Sequence, residues 1–166
     1  MASTFSDIVQ YFRKIAAEHI LIGHRDIEKH FYRFEIDEVL TGLKKINYPA
    51  LILEGYTYSL HDNKSDNVIK QRNCAFMLLG HLSDIGNFDA MHDLWDAQEQ
   101  ICDDIVARMK ADKRNPECSA VRDFDLNSVD VKLIANEMDK NYGIRCTFTI
   151  SSSGNMEVDP HKWIIE

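Results

Sequence analysis

The chain has 166 residues, 45% of them hydrophobic and 10% aromatic, enough for one domain that buries a core and too little for a multidomain machine. Its 27 acidic against 19 basic residues leave a net charge of −8, which disfavours nucleic acid and anionic membrane as partners. No stretch nears the roughly 20 consecutive apolar residues of a membrane span, and the start MASTFSDIVQ lacks the basic and apolar regions of a signal peptide. The expectation is therefore a protein that is cytoplasmic when synthesised.

In chain order, Phe5, Ile8, Val9, Phe12, Ile15, Ala16 and His19 recur at helical spacing behind Ser3, Thr4 and Ser6. This predicts an amphipathic helix over about Phe5 to Ile20. Gly23 can end it through a left-handed backbone, and His24 to His30 reads as a surface loop. The stretch HFYRF suits a short strand, after which Ile36, Val39, Leu40 and Leu43 predict a short helix from about Ile36 to Lys45. Tyr48 and Pro49 break the pattern. A strand is expected from Ala50 to Leu60, then a turn over His61 to Asp66 and a second long strand from Asn67 to His81, making a hairpin. Within it CAFMLL (Cys74 to Leu79) is apolar on both faces, so an additional helix or a second chain must cover one side.

The strongest helical signal runs from about Phe88 to Lys113, with Met91, Leu94, Trp95, Ile101, Cys102, Ile105 and Met109 on one stripe. Acids crowd its first half and bases its end, as the helix dipole favours. A second hairpin is expected from Asn127 to Asn136, where Val129, Val131, Leu133 and Ala135 alternate, and from Gly143 to Ser151, joined by DKNYG. Residues 152–166 read as a tail whose Trp163 and isoleucines dock on a surface. The fold class expected is α+β, a single domain over residues 1–166 with two hairpins in an antiparallel or mixed sheet and two main helices packed on it.

Candidate chemistry is sparse. His92, Asp96, Glu99 and Asp103 share one helical face and could meet a divalent metal. A solvated acidic face explains them more simply, since no HExxH frame is present. The seven histidines are scattered, and three could meet only through the fold. Cys74, Cys102, Cys118 and Cys146 form no CxxC and read as buried thiols with no disulfide framework. GxGxxG, GxxxxGK[ST] and GxSxG are all missing, so phosphate-cradling and nucleophile-elbow geometries lack their glycines. Lys110, Lys113, Arg114 and Arg122 are explained by a helix end and loop, and Tyr56, Tyr58 and Tyr142 by sheet packing. No catalytic residue, cofactor or metal is assigned.

The order of helix, excursion, long hairpin, long helix, second hairpin and tail resembles the tail terminator and tail completion family of long-tailed bacteriophages and related contractile particles. The stretches that carry the likeness are YPALILEGYTYSL, NVIKQRNCAFMLLGHL, MHDLWDAQEQICDDIVARM and YGIRCTFTIS, about two thirds of the chain. The resemblance implies a non-enzymatic structural protein of phage or prophage tail assembly. Such a subunit forms a ring, commonly of about six copies, that meets a tail tube or neck proteins and is carried within the particle. It makes Phe76, Leu78, Leu79 and Trp163 the candidate oligomer interface. The charged segment from His24 to Phe34 and the long tail depart from the family's loop lengths. The rival readings are a monomeric ligand- or partner-binding module of a bacterial cytosol and, after it, a metal-dependent hydrolase built on the His92 helix.

Overall fold

A computed structural model describes residues 4–33, 46–62, 64, 68–84, 86–136, 140–154 and 156–164. The helix expected over Ile36 to Lys45 lies outside the described residues. The first helix, α1 (Phe5–Glu18), starts where expected because Thr4 and Asp7 form a capping box. Asp7 N–H donates to Thr4 Oγ1 at 3.2 Å, and Thr4 N–H donates to the Asp7 carboxylate at 2.8 Å. It ends earlier than expected, with His19 as its cap. Gly23 adopts φ +61° in the following turn, which lets the His24 N–H return to the Ala16 carbonyl at 3.0 Å and satisfy a helix-end acceptor.

Among the described residues six strands form one mixed sheet: β1 (Phe31–Arg33), β2 (Ala50–Leu53), β3 (Thr57–Asp62), β4 (Val68–His81), β5 (Phe124–Asn136) and β6 (Asn141–Gly154). Their order is β1-β2-β4-β6-β5, with β3 also on β4. The β4–β6 ladder is antiparallel and unbroken from Val68 opposite Gly154 to His81 opposite Asn141. The sheet is mixed because β1 lies parallel to β2 while the other ladders are antiparallel.

The strand expected over Ala50 to Leu60 is two strands. Leu53 faces Phe76 while Thr57 faces Asn73, so one extra residue is inserted on this edge between them. That insertion reverses the side-chain phase. Leu51 and Leu53 therefore share a face with Tyr58 and Leu60, not with Thr57 and Ser59. The tail also begins later than expected, because Ser152 is buried and β6 continues to Gly154.

The second helix, α2 (Phe88–Asp112), is capped by the Asn87 side chain, which accepts from Ala90 N–H at 3.0 Å. Both helices lie on the same side of the sheet. Ile8, Phe12 and Ile15 of α1 and Ile101, Cys102, Ile105 and Met109 of α2 meet Leu51, Leu53, Phe76, Leu78, Ile144, Cys146, Phe148 and Ile150 in one core. A smaller cluster of Tyr32, Ile46, Ala50, Ile52 and Leu79 closes part of the opposite face. The doubly apolar CAFMLL stretch is thus explained within the chain: helices cover Phe76 and Leu78, and Tyr32 with Ile46 covers the side of Leu79.

Candidate assembly surface

The residues proposed from sequence for contact between chains occupy three different environments. Phe76 and Leu78 are each 0% exposed beneath the helices, so the chain's own core has already claimed them. Leu79 is buried on the other face. Only Trp163 offers surface, at 66% exposed, and Ile164 beside it is also in solvent. The expected docking of this tail onto the domain is not seen for these two side chains.

Exposed apolar side chains on strands are Tyr58 and Leu60 of β3, Ile69 of β4, and Leu126, Val131 and Leu133 of β5, an edge strand with no neighbour beyond it among the described residues. Val131 faces Cys146 and Leu133 faces Ile144, both core positions, so the two β5 side chains point toward the helical face. They lie at its rim and remain 42% and 53% exposed. Asp130 faces Thr147 and Lys132 faces Arg145 on the opposite face. The N-terminal part of β5 is set by an irregularity between Asp125 and Asp130. There the Ser128 hydroxyl donates to the Asp125 carbonyl at 2.6 Å and accepts from Thr149 N–H at 2.8 Å. Beyond Leu133, the Trp95 indole N–H donates to the Ile134 carbonyl at 3.1 Å and ties the rim to α2. Sequence alternation identified the Val131 and Leu133 face but gave no sign that the strand is an edge.

The side of the sheet away from the helices carries a polar hollow of about 490 Å3, lined by Glu54, Thr57, Asn73, Arg145, Thr147 and Thr149 among others. At its floor Arg145 donates to both carboxylate oxygens of Glu54, at 2.6 and 2.7 Å, and the carboxylate raises the guanidinium pKa. This bidentate pair joins the interruption between β2 and β3 to the central ladder. Nothing in the local sequence pattern pairs residues so far apart.

His92 stacks on Trp95, with ring centroids 6.1 Å apart, and Asp96, Glu99 and Asp103 are exposed along α2. Among the described residues no three His, Cys, Asp or Glu side chains converge as a metal would require. The cysteines are free; burial pushes the Cys74 thiol up to about 12, and a hydrogen bond with Cys146, then burial, raises that of Cys102. Tyr58 packs under the Lys70 ammonium at 4.0 Å, and Tyr142 is buried in the sheet. Lys113 bonds the Phe124 carbonyl and Arg122 that of Pro116, so both bases serve the loop after α2. No described helix is long and apolar enough to cross a membrane.

One buried histidine has a structural role that the sequence did not reveal. His24 Nδ1 accepts from the backbone N–H groups of His30 and Phe31, at 3.1 and 3.3 Å, and so anchors the entry to β1. An acceptor Nδ1 requires a neutral ring. Burial first, then the nearby charge of Arg13, lowers the His24 pKa, with smaller contributions from His30 and Lys29 and an opposing one from Asp26. A depressed folded pKa means that this stabilisation is complete above the ordinary value of 6.5 and is lost as pH falls through the folded value. We expect His24→Asn, whose carbonyl can accept the same N–H groups, to lose less stability between about pH 7 and pH 5.5 than the wild type. Urea unfolding at the two pH values checks this; equal losses would remove His24 as the cause.

Compared with known proteins, the chain matches no family model, no curated protein and no solved structure.

Proposed function

We propose that this protein is a non-enzymatic structural subunit that acts by assembling with copies of itself. In its most specific form the reading is a tail terminator or head–tail neck subunit of a phage or prophage, which forms a ring and meets tail tube or neck proteins. The order of its helices and strand pairs supports that form. The observation that carries the assembly reading is the placement of apolar side chains outside a completed core, on the open strand β5 at Val131 and Leu133. Apolar surface concentrated where a strand has no neighbour favours association over solvation.

The experiment is light scattering across protein concentration. A mass several times that of one chain is expected, and about six times for the ring. A monomer at every concentration would overturn the assembly reading in favour of the binding module, for which the polar hollow around Glu54 and Arg145 is the place to seek a ligand.

A further inference from the structure

We infer that β5 is a self-complementary edge, which pairs antiparallel with β5 of a second copy of this chain across a twofold axis at Val131. The inference does not depend on the ring or on any phage role. It starts from the order of residue types along Val129–Leu133, apolar, acidic, apolar, basic, apolar: Val131 and Leu133 face the helices, Asp130 and Lys132 face away, and the half-buried Val129 packs against the core. In an antiparallel pair, directly opposed residues share a face. With the axis at Val131, Val131 meets its own copy, Val129 meets Leu133 of the second copy, and Asp130 meets Lys132 of the second copy. The last two pairings each occur twice. The side facing the helices then closes over six aliphatic side chains, and the other side gains two opposite-charge pairs.

The neighbouring registers are disfavoured by the same residues. An axis at Asp130 places two carboxylates opposite each other, and an axis at Lys132 places two ammonium groups there, each a like-charge pair directly across strands. A single charge on an edge strand discourages pairing. Opposite charges two residues apart, symmetric about a valine, instead select one antiparallel register. The stretch is bounded on both sides by bonds within the chain, at Ser128 and at the Ile134 carbonyl held by Trp95. Val129 packs on the edge of the core, whereas Val131 and Leu133 protrude. These features commit the occupant to a second copy, because the complement of this charge order is the same order read backwards.

The test is a charge exchange read by light scattering, with circular dichroism as the check of folding. Wild type is expected to show an even-numbered association, two chains alone or two rings face to face. Asp130→Lys and Lys132→Asp are each expected to weaken it by at least about tenfold and to halve the mass at moderate concentration. The double exchange, Asp130→Lys with Lys132→Asp, restores opposite charges in the same register and is expected to recover the wild-type mass. Under mild oxidation Val131→Cys should form a disulfide with its own copy, whereas Leu133→Cys should not, since its symmetry mate lies four strand positions away.

A wild-type monomer, single variants that keep the wild-type mass, or a folded double exchange that fails to recover it would each overturn the inference. A dimer sensitive to these charges would support this pairing while removing the ring. A ring of unchanged mass in all three variants would do the reverse.

Discussion

Gly143→Ala is expected to remove the native fold or to cost more than about 4 kcal/mol, a loss that single substitutions reach only through a specific structural conflict. Gly143 lies in β6 between Leu79 of β4 and Ile134 of β5. A Cβ there would stand 1.9 Å from the Leu78 carbonyl oxygen and 2.9 Å from its carbon. Both are backbone atoms of the central strand, and Leu78 is 0% exposed, so neither can move aside without opening the β4–β6 ladder on which both helices rest. Gly80 provides the contrast. A Cβ there would meet the Leu94 side chain at 2.5 Å, and Leu94 is only partly buried on α2 and can turn away. Gly80→Ala should therefore cost about 1 to 3 kcal/mol. Urea unfolding of the two variants checks the order. If Gly143→Ala unfolds within about 1 kcal/mol of wild type, the ladder is not the rigid centre described here.

The features legible in the sequence are those that depend on one element at a time. The helical spacing of Ile8, Phe12 and Ile15 and that of Ile101, Ile105 and Met109 mark the buried faces of α1 and α2, because amphipathic periodicity reports a local geometry. The alternation of Ile144, Cys146, Phe148 and Ile150 marks β6 for the same reason, and all four are buried. What was hidden depends on partners. The extra residue between Leu53 and Thr57 appears only when both are counted against β4, and the composition of ALILEGYTYSL gives no warning beyond faces that differ little. Parallel pairing of β1 with β2 is equally invisible, since three residues carry no periodicity. Of the candidate interface, Phe76 and Leu78 share the one face that α1 and α2 cover, and Leu79 lies on the other face in the Tyr32 cluster, an allocation that the apolar run CAFMLL does not reveal. The charges of Asp130 and Lys132 carry no signal in the sequence, because charge on a strand reads as ordinary solvation until the strand is known to lack a neighbour.

Phe12→Ala is expected to cost about 3 to 5 kcal/mol, the usual range for removing a fully buried phenylalanine. Phe12 is 0% exposed at the middle of α1, with ring centroids 5.5 Å from Phe76 and 5.8 Å from Phe148. The polar links between α1 and α2 cannot replace it. Arg108 reaches Glu18 at 3.3 Å and His19 reaches Asp104 at 3.3 Å, but both pairs have solvent-exposed partners, and such pairs contribute about 0 to 1 kcal/mol. Tyr11 donates to Asp112 at 3.0 Å, a bond that needs α1 already seated. The attachment of α1 to the sheet is therefore an apolar one centred on Phe12, and its loss should lower the denaturant midpoint of the whole domain. Phe76→Ser probes the same ring cluster from β4 and should destabilise more, because it leaves both a cavity and a buried hydroxyl. It also separates two roles for Phe76. A core residue loses folding stability at every protein concentration, whereas a residue between chains loses mass while each chain stays folded. The packing of Phe12, Phe76 and Phe148 gives the first outcome. A Phe76→Ser variant with wild-type unfolding and a smaller assembly would instead return Phe76 to the interface that its sequence context suggested.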